Sequence, residues 1–197
     1  MRYVRSSFVV LVLAAVGVAV SMAQAPPQRL GLGQPASPEF IAKLDIDIMP
    51  DGAGLPPGKG TAAEGATIYA SKCASCHGAK GEGGPNDVLV GPEPKAFAPF
   101  GPQYDKARGE AKDVPFTIGN YWPYATTIFD YTRRAMPFPK PGTLTADETY
   151  SLVAWLLAKN GIIPEDAVMN AKTLPAVVMP ARNRFVPDDR AGGAKVR

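Results

Sequence analysis

The chain has few of the cysteine and histidine side chains that form structural zinc sites: two cysteines and one histidine among 197 residues. A structural zinc site needs four such ligands, so these three exclude one. Charge of one sign is also scarce, because 21 lysines and arginines stand against 18 aspartates and glutamates. This near balance argues against a polycationic protein that binds nucleic acid. No segment shows sustained strand alternation with hairpin turns, so we expect few or no β-strands.

The three rare residues lie together, in the stretch Cys73-Ala74-Ser75-Cys76-His77. Two thiols one helical turn apart can add to the two vinyl groups of a haem, and the adjacent imidazole can then bind its iron. A thioredoxin-like Cys-x-x-Cys pair is the competing interpretation, but it requires a βαβ setting. Residues 61–75 instead have the pattern of a helix that follows a Gly/Pro-rich linker. We therefore expect one covalently bound haem c on Cys73 and Cys76, with His77 as an axial iron ligand.

The N-terminus has the pattern of a secretory signal. Residues 1–5 contain two arginines, residues 8–20 form an unbroken apolar run, and Ser21-Met22-Ala23 before Gln24 is a plausible small-residue cleavage site. The apolar run is shorter than the ~20 residues that a spanning helix needs, so we expect no membrane span in the mature protein. Covalent haem attachment takes place outside the bacterial cytoplasm. The sequence thus predicts a signal peptide at 1–23, cleaved during export to the periplasm.

Three segments have helical character, and they lie at 62–73, 125–134 and 145–161. In the first, Gly65 and Tyr69 are one turn apart and offer a face that another helix can approach closely. The third begins with a capping box formed by Thr145 and Glu148, and ends at Asn160-Gly161.

A methionine is expected as the other axial ligand of the iron. Of six methionines, two lie in the predicted signal peptide, and the other four are Met49, Met136, Met169 and Met179. Met136 lies in a turn between the second and third helices, separated from His77 by a long loop that can wrap around the haem to its opposite face. Prolines at 137 and 139 would limit the freedom of that turn. We therefore expect His77 and Met136 to be the axial ligands.

A helix that ends in Cys-x-x-Cys-His, a methionine turn and a capped aromatic C-terminal helix together resemble class I cytochrome c. More narrowly, the chain is similar to the haem subunits of bacterial sulfite and sulfane dehydrogenases. The stretches that carry this similarity are GNYWPYATTIFDY at 119–131, RRAMPF at 133–138, LGLGQPA at 30–36, DIDI at 45–48, PDG at 50–52, Met179-Pro180, Phe185 and Asp188-Asp189-Arg190.

The resemblance implies a mainly α class I cytochrome c fold, with N-terminal, short middle and C-terminal helices around one haem. We expect the haem domain at 61–161, an N-terminal extension at 24–60 and a C-terminal extension at 162–197. Many class I cytochromes have Pro-x-Leu-x-Gly after the haem motif, and the proline carbonyl accepts a hydrogen bond from the histidine ligand. Residues 87–91 read Asp-Val-Leu-Val-Gly instead. Because every residue has a main-chain carbonyl, this bond can survive at Asp87.

His/Met ligation fills both axial positions, so the residues indicate an electron carrier without a catalytic site of its own. The resemblance implies two partners: a molybdopterin-containing sulfite/sulfane dehydrogenase subunit that donates electrons, and a downstream cytochrome that receives them. Long Pro-rich extensions favour a subunit that wraps a partner, with packing back on the haem domain as the alternative. Other functions left open are a free soluble carrier, the haem subunit of another periplasmic dehydrogenase such as an alcohol dehydrogenase, and a haem enzyme or gas sensor.

Two further groups of residues lie close in sequence to the ligands. A mildly basic rim around the haem crevice is predicted by Lys72, Lys80, Arg133, Arg134 and Lys140, which Glu82 and Glu93 offset only in part. The alternative is that these charges are simply solvated. The aromatic residues are expected either to wall the haem or to pack in the core; they are Tyr121, Trp122, Tyr124, Phe129, Tyr131 and Phe138.

Overall fold

The structure is a computed structural model, and it describes residues 31–91 and 115–185. The predicted signal peptide at 1–23 lies outside the described residues, as do residues 24–30, 92–114 and 186–197. The chain divides into two compact units, Met1–Asp45 and Ile46–Arg197. Within the described ranges, no helix has the length and apolar character that crossing a membrane requires.

The described part of the first unit contains one short helix, α1, at Pro38–Leu44. Ser37 caps its N-terminus, because the Ser37 hydroxyl accepts a hydrogen bond from the Phe40 amide at 3.1 Å. No residue of α1 is buried, and the apolar side chains of Phe40, Ile41 and Leu44 are exposed.

The second unit is mainly helical. Its elements are β1 at Lys59–Thr61, α2 at Ala62–Lys72, α3 at Ala74–His77, α4 at Ile118–Tyr121, α5 at Ala125–Ala135, α6 at Ala146–Lys159, β2 at Val168–Asn170, and 3-10 turns at Leu174–Ala176 and Arg182–Arg184. All three predicted helices are therefore present. The predicted capping box of α6 is confirmed, since the Thr145 amide donates to Glu148 Oε2 at 2.9 Å and the Glu148 amide donates to Thr145 Oγ1 at 3.2 Å.

The close helix approach predicted at Gly65 is confirmed, and the partner helix is α6. A Cβ atom added at Gly65 would lie 2.0 Å from the main-chain oxygen of Ser151. One turn further along α2, the Tyr69 ring stacks on the Trp155 ring with 3.9 Å between centroids. Because α6 is buried from Thr149 to Ala158, this crossing forms the centre of the core.

The core also takes in residues on both sides of the predicted haem domain at 61–161. Strand β2 pairs antiparallel with β1, with Gly60 opposite Met169. Met169, Leu174 and Met179 of the C-terminal extension are buried, and so is Ile48 of the N-terminal extension. These residues of the two extensions therefore pack on the haem domain, which was the alternative to wrapping a partner. The two strands are only three residues long, which is too short for a visible alternation of apolar and polar residues.

Candidate haem site

The end of α2 and the single turn α3 bring the two thiols and the imidazole together. Cys73 ends α2, where its amide donates to the Tyr69 carbonyl at 2.9 Å, and it also precedes α3. The amides of Cys76 and His77 both donate to the Cys73 carbonyl at 3.1 Å. Both cysteines are half-buried, and neither forms a disulfide. The arrangement leaves two thiols on one helical turn available for thioether bonds.

The Cys73 thiol is unlike that of a redox-active pair. Burial, the largest effect, raises its pKa to about 11, with a smaller opposing effect from Lys72. Reactive Cys-x-x-Cys pairs instead lower the pKa of one thiol and stabilise its thiolate. The thioredoxin-like interpretation also requires a βαβ setting, whereas the strands in the described residues are β1 and β2, which pair antiparallel. Both observations argue against that interpretation. In the described ranges, no cluster of three or more His, Cys, Asp or Glu side chains could hold a metal ion.

The loop after the motif orients the His77 ring. The Nδ1 atom of His77 lies 2.8 Å from the main-chain oxygen of Asp87. When Nδ1–H donates this bond, the lone pair of Nε2 is left for an iron atom. The bond that class I cytochromes make to a proline carbonyl is thus present here at Asp87.

The same loop is held by several main-chain bonds. The Gly83 amide donates to the His77 carbonyl at 2.8 Å, and the Asn86 amide donates to the Cys76 carbonyl at 3.0 Å. Gly78, at the end of α3, has φ +84°, and a Cβ atom there would lie 2.5 Å from the Gly83 oxygen. Only glycine fits this close turn without strain.

Sequence reasoning missed two side chains that hold the motif and its loop. The Tyr69 hydroxyl donates to the Gly78 carbonyl at 3.0 Å, and Asn160 Nδ2 donates to the Leu89 carbonyl at 3.1 Å. Burial raises the pKa of Tyr69, so its hydroxyl remains a donor at neutral pH. In the sequence, Tyr69 is accounted for as a residue of α2 and Asn160 as the residue that ends α6. Neither position therefore indicates a contact with the loop that follows the haem motif.

Met136 is the C-terminal capping residue of α5, and its amide donates to the Thr132 carbonyl at 3.1 Å. Its side chain is half-buried. Of the other candidates, Met169 and Met179 are buried in the core, whereas Met49 is 47% exposed. The turn after Met136 is closed by the Lys140 amide, which donates to the Pro137 carbonyl at 2.8 Å.

The aromatic residues that were expected either to wall the haem or to pack in the core differ in burial. Phe129 is fully buried against the Tyr150 ring, with 4.5 Å between centroids. Trp122 is half-buried and lies 5.8 Å from the ring of Tyr131. Phe138, in the turn after Met136, is 81% exposed. Phe129 is therefore a core residue, and Phe138 is a surface residue.

The predicted basic rim is partly neutralised. Lys72 pairs with Glu148 across the α2–α6 contact, and Arg134 pairs with Asp130 and Asp47. Within the described ranges, no ion pair holds Lys80, Arg133 or Lys140. The positive charge of the rim is therefore restricted to these last three residues.

Comparison with known proteins defines the class. The sequence model of the cytochrome c family matches residues 62–159, a range that contains the Cys-x-x-Cys-His motif and Met136. A search of curated proteins finds no match. A chain in the crystal structure of the sulfane dehydrogenase SoxCD from Paracoccus pantotrophus is 40% identical, with a TM-score of 0.67; the match covers 82% of this chain and 74% of that chain.

The chain belongs to the cytochrome c family. The mainly helical class I fold is thereby confirmed, as is the covalently bound haem c. The residues present fit that group, since they supply two thiols that form no disulfide and an imidazole whose Nδ1 is within hydrogen-bond distance of the Asp87 carbonyl. The structural relative also confirms the resemblance to a cytochrome-containing enzyme complex of sulfur oxidation.

Proposed function

We propose that this chain is a periplasmic electron-transfer subunit of a molybdenum-dependent sulfite or sulfane dehydrogenase. It accepts electrons from the catalytic subunit and passes them to a downstream cytochrome. The observation that carries the proposal is the 40% identity to a chain of SoxCD over 82% of this chain. That range is longer than the family domain at 62–159, so the similarity includes parts of the extensions.

In this proposal, Cys73 and Cys76 hold the haem, and His77 and Met136 bind its iron. Haem ligated by histidine and methionine transfers single electrons without an open coordination position. The carbonyl of Asp87 keeps the His77 ring in one orientation. The half-buried side chains of Leu89 and Val90, in the loop that follows the motif, pack against the core. The chain then contributes no catalytic group, and substrate chemistry belongs to the partner.

The first unit supports a role in partner binding. Helix α1 exposes Phe40, Ile41 and Leu44, which lie within one turn of each other. A seven-residue helix with no buried residue has little packing to stabilise it alone. Burial of this apolar face by the catalytic subunit would supply the missing contact. In contrast, Ile48 is buried in the core of the second unit and Leu55 packs against it, so partner binding by the N-terminal extension is proposed only for its first part.

Copurification and reduction test the proposal together. The full-length chain is produced in the periplasm with a candidate molybdopterin oxidoreductase, and the haem absorbance is followed after addition of sulfite or a sulfane-sulfur donor. We expect the two subunits to copurify and the haem to be reduced only when both substrate and catalytic subunit are present. Rapid reduction by an alcohol dehydrogenase, without any reduction by the molybdenum subunit, would favour the alternative dehydrogenase.

Variants in α1 sharpen the partner test. The double variant Phe40→Asp/Leu44→Asp should weaken copurification and leave the haem spectrum unchanged. Lys43→Gln, in the same helix, is the matched control, and we expect it to copurify normally. Equal copurification of both variants would show that α1 does not contact the catalytic subunit.

A further inference from the structure

Residues 46–56, here called the strap, lie outside the family domain at 62–159 and cross α5. The Ile48 side chain is buried, and its amide donates to Asp130 Oδ1 at 3.1 Å. Two residues later, the Pro50 carbonyl accepts a hydrogen bond from Thr126 Oγ1 at 3.0 Å. At the end of the strap, the Pro56 carbonyl accepts from the Tyr150 hydroxyl at 2.9 Å. The strap is therefore tied to both α5 and α6.

The strap has a closed shape of its own. The Met49 amide donates to the Ala53 carbonyl at 2.9 Å, and the Gly52 amide donates to the Met49 carbonyl at 2.9 Å. Gly54 has φ +89°, and a Cβ atom there would lie 2.1 Å from the Asp47 oxygen. Because these contacts fix the main chain of the strap, the strap can restrict the movement of the helix that it contacts.

The polar contacts that α5 makes to the strap come from one face of this helix. Thr126, Asp130 and Arg134 are spaced four residues apart and so share that face. The Asp130 carboxylate, 13% exposed, uses one oxygen for the Ile48 amide and the other for Arg134 Nη2. Arg134 Nη1 also lies 3.3 Å from Asp47 Oδ1. Arg134 thus links the last turn of α5 to the start of the strap.

Met136 follows this last turn directly. Its amide completes the hydrogen bonding of α5 through the Thr132 carbonyl, so the position of its main chain follows that of the helix end. An anchored helix end restricts the positions open to the sulfur, and partners outside the ligand set strengthen metal binding in this way.

We propose that Asp130 and Arg134 are positioning residues that hold the end of α5 against the strap and so strengthen the bond from Met136 to the haem iron. The inference rests on the proposed assignment of Met136 as axial ligand. The proposal gives the strap, which lies outside the family domain, a role in the placement of the Met136 sulfur.

Cyanide binding to the ferric full-length holoprotein tests this role, because cyanide must displace the methionine. Asp130→Ala removes both the acceptor for Ile48 and the partner of Arg134, and we expect about a tenfold higher cyanide affinity. Asp130→Asn retains an acceptor oxygen without the charge, and should give a smaller increase. Glu165→Gln is the matched control, since it breaks an exposed Lys159–Glu165 ion pair of 2.8 Å in which no residue of α5 takes part.

A second measurement separates positioning from general stability. On heating, the charge-transfer band of the methionine–iron bond should disappear before the circular dichroism of the helices in Asp130→Ala, whereas both should change together in Glu165→Gln. Where Asp130→Ala does not fold, Thr126→Val removes only the hydrogen bond to Pro50 at nearly constant volume, and should show the same separation to a smaller degree.

The outcomes distinguish the two proposals. If Asp130→Ala and Thr126→Val bound cyanide with the same affinity as Glu165→Gln, while Met136→Leu bound it more tightly, the positioning role would be overturned and the ligand assignment would stay intact. If Met136→Leu itself changed neither cyanide binding nor the band, the ligand assignment would be wrong, and the strap proposal would end with it.

Discussion

The imidazole of His77 and the main chain of Asp87 are joined by a hydrogen bond of 2.8 Å, although the two residues are ten positions apart. The acceptor is the peptide oxygen, and the Asp87 side chain is exposed. The aspartate therefore preserves the bond without contributing its carboxylate to it. This explains why a residue other than proline is compatible with an oriented histidine ligand.

Asp87→Ala should consequently leave the absorption spectrum of the holoprotein unchanged. Asp87→Asn removes a negative charge near the iron, and we expect a small rise in reduction potential that weakens as salt increases. Redox titration at low and high salt measures this. Loss of the six-coordinate low-spin spectrum in Asp87→Ala would contradict the assignment of the carbonyl as the acceptor.

Local signals in the sequence predicted the three longer helices, α2, α5 and α6, and the haem motif. Thr145 and Glu148 predict the start of α6 because a capping box spans only four residues. Gly65 predicts a close approach by another helix. The bond from Ile48 to Asp130 joins residues 82 positions apart, and neither residue signals the other. Burial of Phe129 and exposure of Phe138 were also beyond local patterns, because both depend on which elements pack against the helix and the turn that carry them.

Haem attachment through both cysteines predicts a covalent haem in the purified protein. After denaturing gel electrophoresis, the band of the full-length chain should stain for haem peroxidase activity. Cys73→Ala/Cys76→Ala should lose the stain, because no thiol is left in a chain that has two cysteines. Extraction of the haem from the unsubstituted protein by acid acetone would contradict the assignment.

Replacement of the proposed sixth ligand, in Met136→Leu, should lower the reduction potential and let carbon monoxide bind the ferrous iron. Met179→Leu is the control, since Met179 is buried and this change conserves volume, with an expected cost below about 1.5 kcal/mol. Met49→Leu should also leave the spectrum unchanged. Carbon monoxide binding by Met179→Leu in place of Met136→Leu would transfer the ligand role to the C-terminal extension.

The crossing of α2 and α6 predicts a destabilising effect of Gly65→Ala. In an open helix this change stabilises by about 1 kcal/mol. Here the new Cβ atom would lie 2.0 Å from the Ser151 oxygen and 2.8 Å from the Trp155 Cβ, and we expect a net loss of about 1–3 kcal/mol from overpacking. Denaturant unfolding of the holoprotein measures it, with Ala66→Ser on the exposed side of α2 as control. A more stable Gly65→Ala variant would show that the two helices are further apart.

Three cations of the rim, Lys80, Arg133 and Lys140, lie near the proposed ligands in sequence and have no ion pair among the described residues. Two other predicted rim cations, Lys72 and Arg134, are paired with carboxylates. Docking on an acidic partner surface would therefore depend on Lys80, Arg133 and Lys140. Exposed charges mainly guide encounter, so they affect the association rate more than the electron transfer that follows.

Reduction of the haem by the catalytic subunit should accordingly slow as salt rises. Lys80→Glu and Lys140→Glu should each lower the association rate in stopped-flow measurements and leave the limiting rate at saturation unchanged. Lys172→Glu, an exposed charge reversal in the C-terminal extension, is the control and should have little effect. A reduction rate that is independent of salt in all four proteins would exclude electrostatic guidance. It would favour a permanent complex, held by apolar contacts such as the exposed face of α1.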